Sequence, residues 1–125
     1  MVSIENATAL NLLASDAHHN AVKHGFYNDI DTLMDICYKT DNPQGFKIAQ
    51  RDFVLAQLSK IASEVGEAVS VIQHNEDYAG LSEELADITI RTMDLAAYLM
   101  YNHGDDVVKK MIKNESRPMK HGKLC

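Results

Sequence analysis

Apolar residues along this chain recur at helical spacing and nowhere alternate with polar ones over a strand-length run bounded by turns. Ser3 can cap a first helix from about Ile4, with Leu10, Leu13, Ala14, Ala17 and Val22 on one side and Gly25 as a stop. Asp29 or Asp31 opens a shorter helix carrying Leu33, Met34, Ile36 and Cys37. The cluster Asp41-Asn42-Pro43-Gln44-Gly45 then reads as a loop. A long helix is expected from Ile48 to Gln73, where Val54, Leu58, Ile61, Val65, Ala68, Val69 and Ile72 form a stripe at i, i+3, i+4 and i+7.

After the polar segment 74–80, a second long helix from Leu81 to about Tyr101 has its own stripe: Leu81, Leu85, Ile88, Thr92, Leu95 and Leu99. The short connection implies that the two long helices pack antiparallel as neighbours in a bundle. His103-Gly104 reads as the close of that helix, Asp105 or Asp106 as the cap of a short one through Lys113, and Pro118 as the end of regular structure. The expectation is an all-α helical bundle with two long antiparallel core helices, in one domain spanning 1–125 with a basic tail over 114–125. No internal repeat or low-complexity stretch is evident.

A length of 125 residues and 46% hydrophobic content suit one core. A net charge of −6 argues against a polynucleotide partner, because sequence-independent binding needs a positive field. No window approaches a membrane span and the first residues do not resemble a secretory signal, so a cytoplasmic location is expected. Cys37 and Cys125 lack zinc-ligand spacing and read as reduced, non-ligating thiols.

The chemistry sits on the long helices. Glu64 and Glu67 are three apart on the first, Glu84 and Asp87 three apart on the second, so each pair occupies neighbouring positions of one face. Glu64 lies about 80° from the centre of its apolar stripe, and Glu84 relates similarly to its own. Two antiparallel helices can therefore gather four carboxylates at the border of the core. Such a cluster repels itself unless protonated or bridged by cations, and oxygen-only ligands favour Mg²⁺, Mn²⁺ or Ca²⁺ over zinc. Mg²⁺ in turn points to a phosphorylated substrate. Glutamate is also a good helix former, and acidic residues on solvated helices are common, so spacing alone leaves both readings open. Arg91 and Asp94 extend the same row, Arg91 to hold a carboxylate in place or reach a phosphate, Asp94 as a further ligand or as Arg91's partner in an exposed ion pair.

SEVGEA (63–68) followed by EELAD (83–87) resembles the ExxE and ExxD metal-binding pair of the MazG-like all-α nucleoside triphosphate pyrophosphohydrolases. IRTMDLA (90–96) follows in phase, KMIKNESRPMKHGKL (110–124) resembles the basic tail of one branch that includes phage-encoded members, and HHNAVKHGFYND (18–29) resembles that branch's N-terminal helix. The resemblance implies Mg²⁺-dependent hydrolysis of a ribo- or deoxynucleoside triphosphate to monophosphate and pyrophosphate, with host cytoplasm as the location if the chain is phage-encoded. It implies Glu64, Glu67, Glu84 and Asp87 as catalytic metal ligands. Lys110, Asn114, Arg117, Lys120 and Lys123 become the clamp on the outer phosphates, and Asn20, Phe26 and Tyr27 the base contacts. It also implies a homo-oligomer, dimer or tetramer, in which helices of two chains complete each pocket.

The usual first motif is EExxE, and Ser63 stands where its leading glutamate would be. A role given to that glutamate passes to another carboxylate or disappears. His18, His19 and His24 lack the i,i+4 spacing of a helical zinc pair and read as polar surface or base-pocket residues. Met34, Met93, Met100 and Met111 read as core filler, and Gly66 inside a helix as a point of close approach by a partner subunit. Two alternatives remain: a dUTPase-like or phosphoribosyl-ATP pyrophosphatase activity, and a non-catalytic metal- or nucleotide-binding helical module.

Overall fold

The computed structural model describes residues 2–74 and 78–119. Five helices account for its regular structure: α1 (Ile4–Lys23), α2 (Asn28–Lys39), α3 (Pro43–His74), α4 (Leu81–Tyr98) and α5 (His103–Glu115). The chain is all-α among the described residues.

Local chemistry explains most of the ends. The Ser3 side chain accepts from the Asn6 N–H while Asn6 accepts from the Ser3 N–H, a reciprocal cap in which asparagine takes the usual glutamate position. α1 ends at Gly25, whose φ of 83° allows the Phe26 N–H to reach the Ala21 carbonyl. α2 and α4 close in the same manner through Asp41 (φ 48°) and Met100 (φ 63°), with Asn42 N–H on Cys37 O and Tyr101 N–H on Ala96 O.

Three expected boundaries are corrected. α3 begins at Pro43, not Ile48, because Pro43 occupies the first helical position, where its missing N–H costs nothing, and Asn42 Oδ1 accepts from the Gly45 N–H at 2.9 Å. α4 stops at Tyr98, three residues early, because Met100 is left-handed. His103 and Gly104 open α5 instead of closing α4, and Asp105 and Asp106 fall in its first turn, favourable to its dipole.

α1 is the spine. Its buried residues Ala7, Ala14 and Ala21 repeat every seven positions and allow close approach of other helices. Asp94 of α4 meets His18, while Gly104 and Asp105 of α5 meet Asn11. A groove shared by Asn6 and Leu10 with Val107 and Met111 continues the contact. α4 and α5 therefore lie one after the other along α1, both antiparallel to it. At the crossing, the Gly104 N–H donates to Asn11 Oδ1 at 2.6 Å, and a Cβ on Gly104 would collide with the Ala7 carbonyl oxygen. α2 and α3 close the other side around Ala21, Tyr27 and Ile30, with Met34, Ala49, Phe53 and Tyr98 packed on them.

The expected stripe of α4 turns inward except at Leu85, whereas that of α3 is covered by its own chain only in part. On α3, Ala68 is buried but Leu58, Val65, Val69 and Ile72 are 40–50% exposed. On α4, Leu95 is buried, with Met93 and Ala96, while Leu85 is half exposed. On α1 the alanines face inward and Leu13 faces water. The residues of α3 that are not exposed between Val54 and His74 are Val54, Gln57, Ile61, Glu64, Ala68 and Val71, a strict alternation of three and four.

Candidate metal and phosphate site

Glu64 sits on that inward seam of α3 and is 8% exposed. A carboxylate there needs compensation, and Arg91 of α4 supplies it, donating from Nε to Glu64 Oε1 at 2.7 Å. One turn before Arg91 lies Asp87, and one before that Glu84. Glu64, Glu84 and Asp87 can each present one oxygen such that all three lie within 4.8 Å of one another. The partners rise in number along α3 as they fall along α4, as the antiparallel expectation requires.

Glu84 carries the signature of the cluster. Its Oε2 is buried and has no hydrogen-bond partner. Its pKa is pushed above the ordinary carboxylate range by loss of solvent, then by the charges of Glu67, Asp87 and Glu64, and by a hydrogen bond to Glu67. Glu67 thus joins the cluster through Glu84 and stands outside the tight triad. An all-oxygen donor set, with a buried carboxylate oxygen that has no hydrogen-bond partner and a carboxyl surrounded by like charges, fits a hard dication such as Mg²⁺ or Mn²⁺.

Beside this cluster opens a cavity of about 260 Å³ whose wall includes Glu64, Asp87, Arg91 and Asp94 from the long helices and Asn20 and Phe26 from the α1 region. All six are among the residues expected from the sequence. Lys60 and Gln57, which also face the cavity, are not. Lys60 lies four residues before Glu64, so the same spacing rule that paired the carboxylates could have found it.

Tyr27 does not line the cavity. It is 2% exposed, stacked on Tyr98 with centroids 5.0 Å apart, and its OH donates to Asp94 Oδ1 at 2.8 Å. Burial and then the Asp94 carboxylate drive its pKa far upward, so it stays a donor. The same Asp94 oxygen lies 2.9 Å from His18 Nδ1. Asp94 is therefore a joint between α1 and α4, and the expected Arg91–Asp94 pair is replaced by Arg91–Glu64.

The basic tail is elsewhere. Along α1, the level of Asn6, where α5 lies, is about 20 Å from the level of Asn20 at 1.5 Å per residue. Lys110, Asn114 and Arg117 are at that far end, with Asn114 Oδ1 buried and unpartnered. Lys120 and Lys123 lie outside the described residues. Among the described residues, Lys110, Asn114 and Arg117 are not brought to the carboxylates of their own chain.

No protein family, curated protein or solved structure matches this chain. Among the described residues no helix is long and apolar enough to cross a membrane.

Proposed function

We propose that this protein is a Mg²⁺-dependent nucleoside triphosphate pyrophosphohydrolase of the MazG-like kind, acting as a homo-oligomer in the cytoplasm and releasing monophosphate and pyrophosphate. The observation that carries the reading is the Glu64–Glu84–Asp87 triad with its orphaned Glu84 oxygen, set beside a cavity that also holds Arg91 and Lys60.

Glu64, Glu84 and Asp87 would hold the ion, with Glu67 supporting through Glu84. Bound Mg²⁺ supplies Lewis-acid polarisation of phosphate oxygens and offsets the charge of the cluster. The chain's own contribution is positional. Arg91 holds Glu64 in place and lines the cavity wall, where its remaining guanidinium N–H groups would serve a phosphate, and Lys60 adds a second cation there. Asn20 offers an amide to a base or sugar, and Phe26, 67% exposed at the rim, offers a stacking face. Asp94, fixed by Tyr27 and His18, keeps the α1 wall against α4. The clamp on the outer phosphates, Lys110, Asn114 and Arg117 with Lys120 and Lys123, belongs in this reading to a second copy, since Lys110, Asn114 and Arg117 stand about 20 Å from their own triad.

The deciding experiment is incubation of the full chain with a panel of common and damaged ribo- and deoxynucleoside triphosphates and Mg²⁺, with products resolved by ion-exchange chromatography. Monophosphate plus pyrophosphate is expected. Diphosphate plus orthophosphate as first products overturns the reaction, and nucleotide binding with no turnover in Mg²⁺ or Mn²⁺ points to the non-catalytic module.

A further inference from the structure

The cavity beside the triad has two ends. Glu64 of α3 and Asp87 of α4 mark the metal end. Gln57 and Asp94, each seven residues away on its own helix, mark the other, about 10 Å off at 1.5 Å per residue, and because the helices are antiparallel both steps lead the same way. Lys60 stands between the two ends on α3, and Asn20 joins from α1. Two helical turns match the reach of a sugar with its base. A nucleotide whose α phosphate meets the ion therefore sets the hydrogen-bonding edge of its base at the level of Gln57 and Asp94.

The polar groups at this second end differ in what they can select. Asn20 and Gln57 are amides, each with a donor and an acceptor, and can serve either pattern of base. A carboxylate such as Asp94 only accepts. Its Oδ1 accepts from the Tyr27 hydroxyl at 2.8 Å and lies 2.9 Å from His18 Nδ1, which carries the hydrogen of that bond. Those two bonds fill Oδ1 and hold the carboxylate in one orientation. Oδ2, which makes no hydrogen bond among the described residues, is the oxygen left to the cavity that Asp94 lines. The side chain is 16% exposed, so water competes little for it. A carboxylate without a bridging cation repels phosphates, and this one stands two turns from the metal end, beyond Lys60.

We infer that Asp94 Oδ2 reads the base of the substrate and selects one that carries an exocyclic amino group, cytosine, adenine or guanine, over uracil, thymine or hypoxanthine. This rests on the nucleotide reading of the site and names the substrate class within it. An amino N–H supplies the donor that Oδ2 lacks. A ring carbonyl in that place sets two acceptor oxygens against each other and leaves the carboxylate oxygen desolvated and unpaired, which is the strong form of discrimination between otherwise similar ligands. Tyr27 and His18 are positioning residues in this scheme: by occupying Oδ1 they decide which oxygen meets the base. A uracil-specific enzyme needs a donor where this chain has Oδ2.

The test is titration calorimetry of the full chain with Mg²⁺ and the α,β-methylene triphosphates of cytidine, adenosine, guanosine, uridine and inosine, in which the scissile bond is blocked, so its readout is affinity and not turnover. The tightest of the cytidine, adenosine and guanosine analogues should bind on the order of tenfold or more tighter than either the uridine or the inosine analogue. Asp94→Asn keeps an oxygen for Tyr27 and His18 and puts an N–H donor where Oδ2 was. With its fold checked by circular dichroism, it should cancel that preference or turn it toward uridine or inosine. A wild type that binds uridine or inosine as tightly as its best amino-bearing ligand overturns the inference and leaves the nucleotide reading standing, and this comparison decides the matter even where Asp94→Asn does not fold. No binding of any of the five overturns both. A folded Asp94→Asn with its preference unchanged, or with an equal loss for all five as a sugar contact would give, also overturns the inference.

Discussion

Arg91 donates to Glu64 at 2.7 Å while Asp94, its neighbour one turn on, is held by Tyr27 and His18. The acidic row of α4 is thereby divided: residues 84 and 87 gather with Glu64 of α3, whereas residue 94 fastens α1.

The first expected outcome concerns the triad. Glu67→Ala and Asp87→Ala should each abolish Mg²⁺-dependent turnover and leave the helical spectrum intact, since removing one carboxylate relieves repulsion in the metal-free protein. Monophosphate release and circular dichroism on the same samples check this, and normal activity in either variant would remove the assignment.

A pH dependence follows from Glu84. Its pKa is raised above the ordinary 4.5, so the folded state holds that proton more firmly than the unfolded chain. The associated stability is fully present in acid and is lost as pH rises through the raised value. Mg²⁺ competes with the same proton, so its affinity should strengthen over that climb. Melting temperatures with chelator and with Mg²⁺ across acidic to neutral pH should diverge, and Glu84→Gln should flatten the chelator curve while losing the Mg²⁺ response. Parallel curves in the wild type would speak against a metal at Glu84.

Asp94 should behave as a joint and not as a ligand. Asp94→Ala leaves the Tyr27 hydroxyl without its acceptor and should cost about 2 kcal/mol. Mg²⁺ affinity at the triad, read by titration calorimetry on the folded variant, should stay within a few-fold of the parent. A large loss of metal binding without loss of stability would reverse the roles.

Gly104→Ala tests the crossing of α1 and α5. The added methyl meets the Ala7 carbonyl oxygen, a backbone atom that cannot rotate away, so the helices must part and about 2 kcal/mol or more is lost. Urea midpoints measure it, and an unperturbed midpoint would show that the two helices are not held at this distance.

If the tail clamps the outer phosphates, Arg117→Ala should weaken triphosphate and pyrophosphate binding at least tenfold, about 1.4 kcal/mol, and leave the free nucleoside unaffected. Equal losses on both would make the tail structural.

Much of the fold is legible because helices announce themselves by period and by punctuation: Ser3, Gly25 and the apolar recurrences place α1, α2, α3 and α4. The errors share a cause in local chemistry with two meanings. Pro43 breaks a helix from within yet starts one at its first position, and Met100 is a residue whose left-handed turn only the surrounding packing imposes. The α3 stripe named from sequence mixes two seams one residue apart, and a list of apolar positions does not say which neighbour each faces. Three of the four proposed carboxylates come together because i,i+3 spacing on facing helices is a local rule. The burial of Tyr27, the Asp94 joint and the remoteness of Lys110 and Arg117 depend on how α4 and α5 share the length of α1, and no local rule carries that.

That shared spine also orders the birth of the molecule. His18 waits for Asp94, 76 residues later, and Asn11 for Gly104, 93 residues later. A chain emerging N-terminus first can form the α2–α3 hairpin early and bury Ala21 against Tyr27 and Ile30, but Ala7 and Ala14 await α4 and then α5. The cavity wall that Asn20 shares with α4 is therefore assembled late in synthesis, and until then α1 presents a bare strip of Ala7 and Ala14 to whatever the ribosome's surroundings offer.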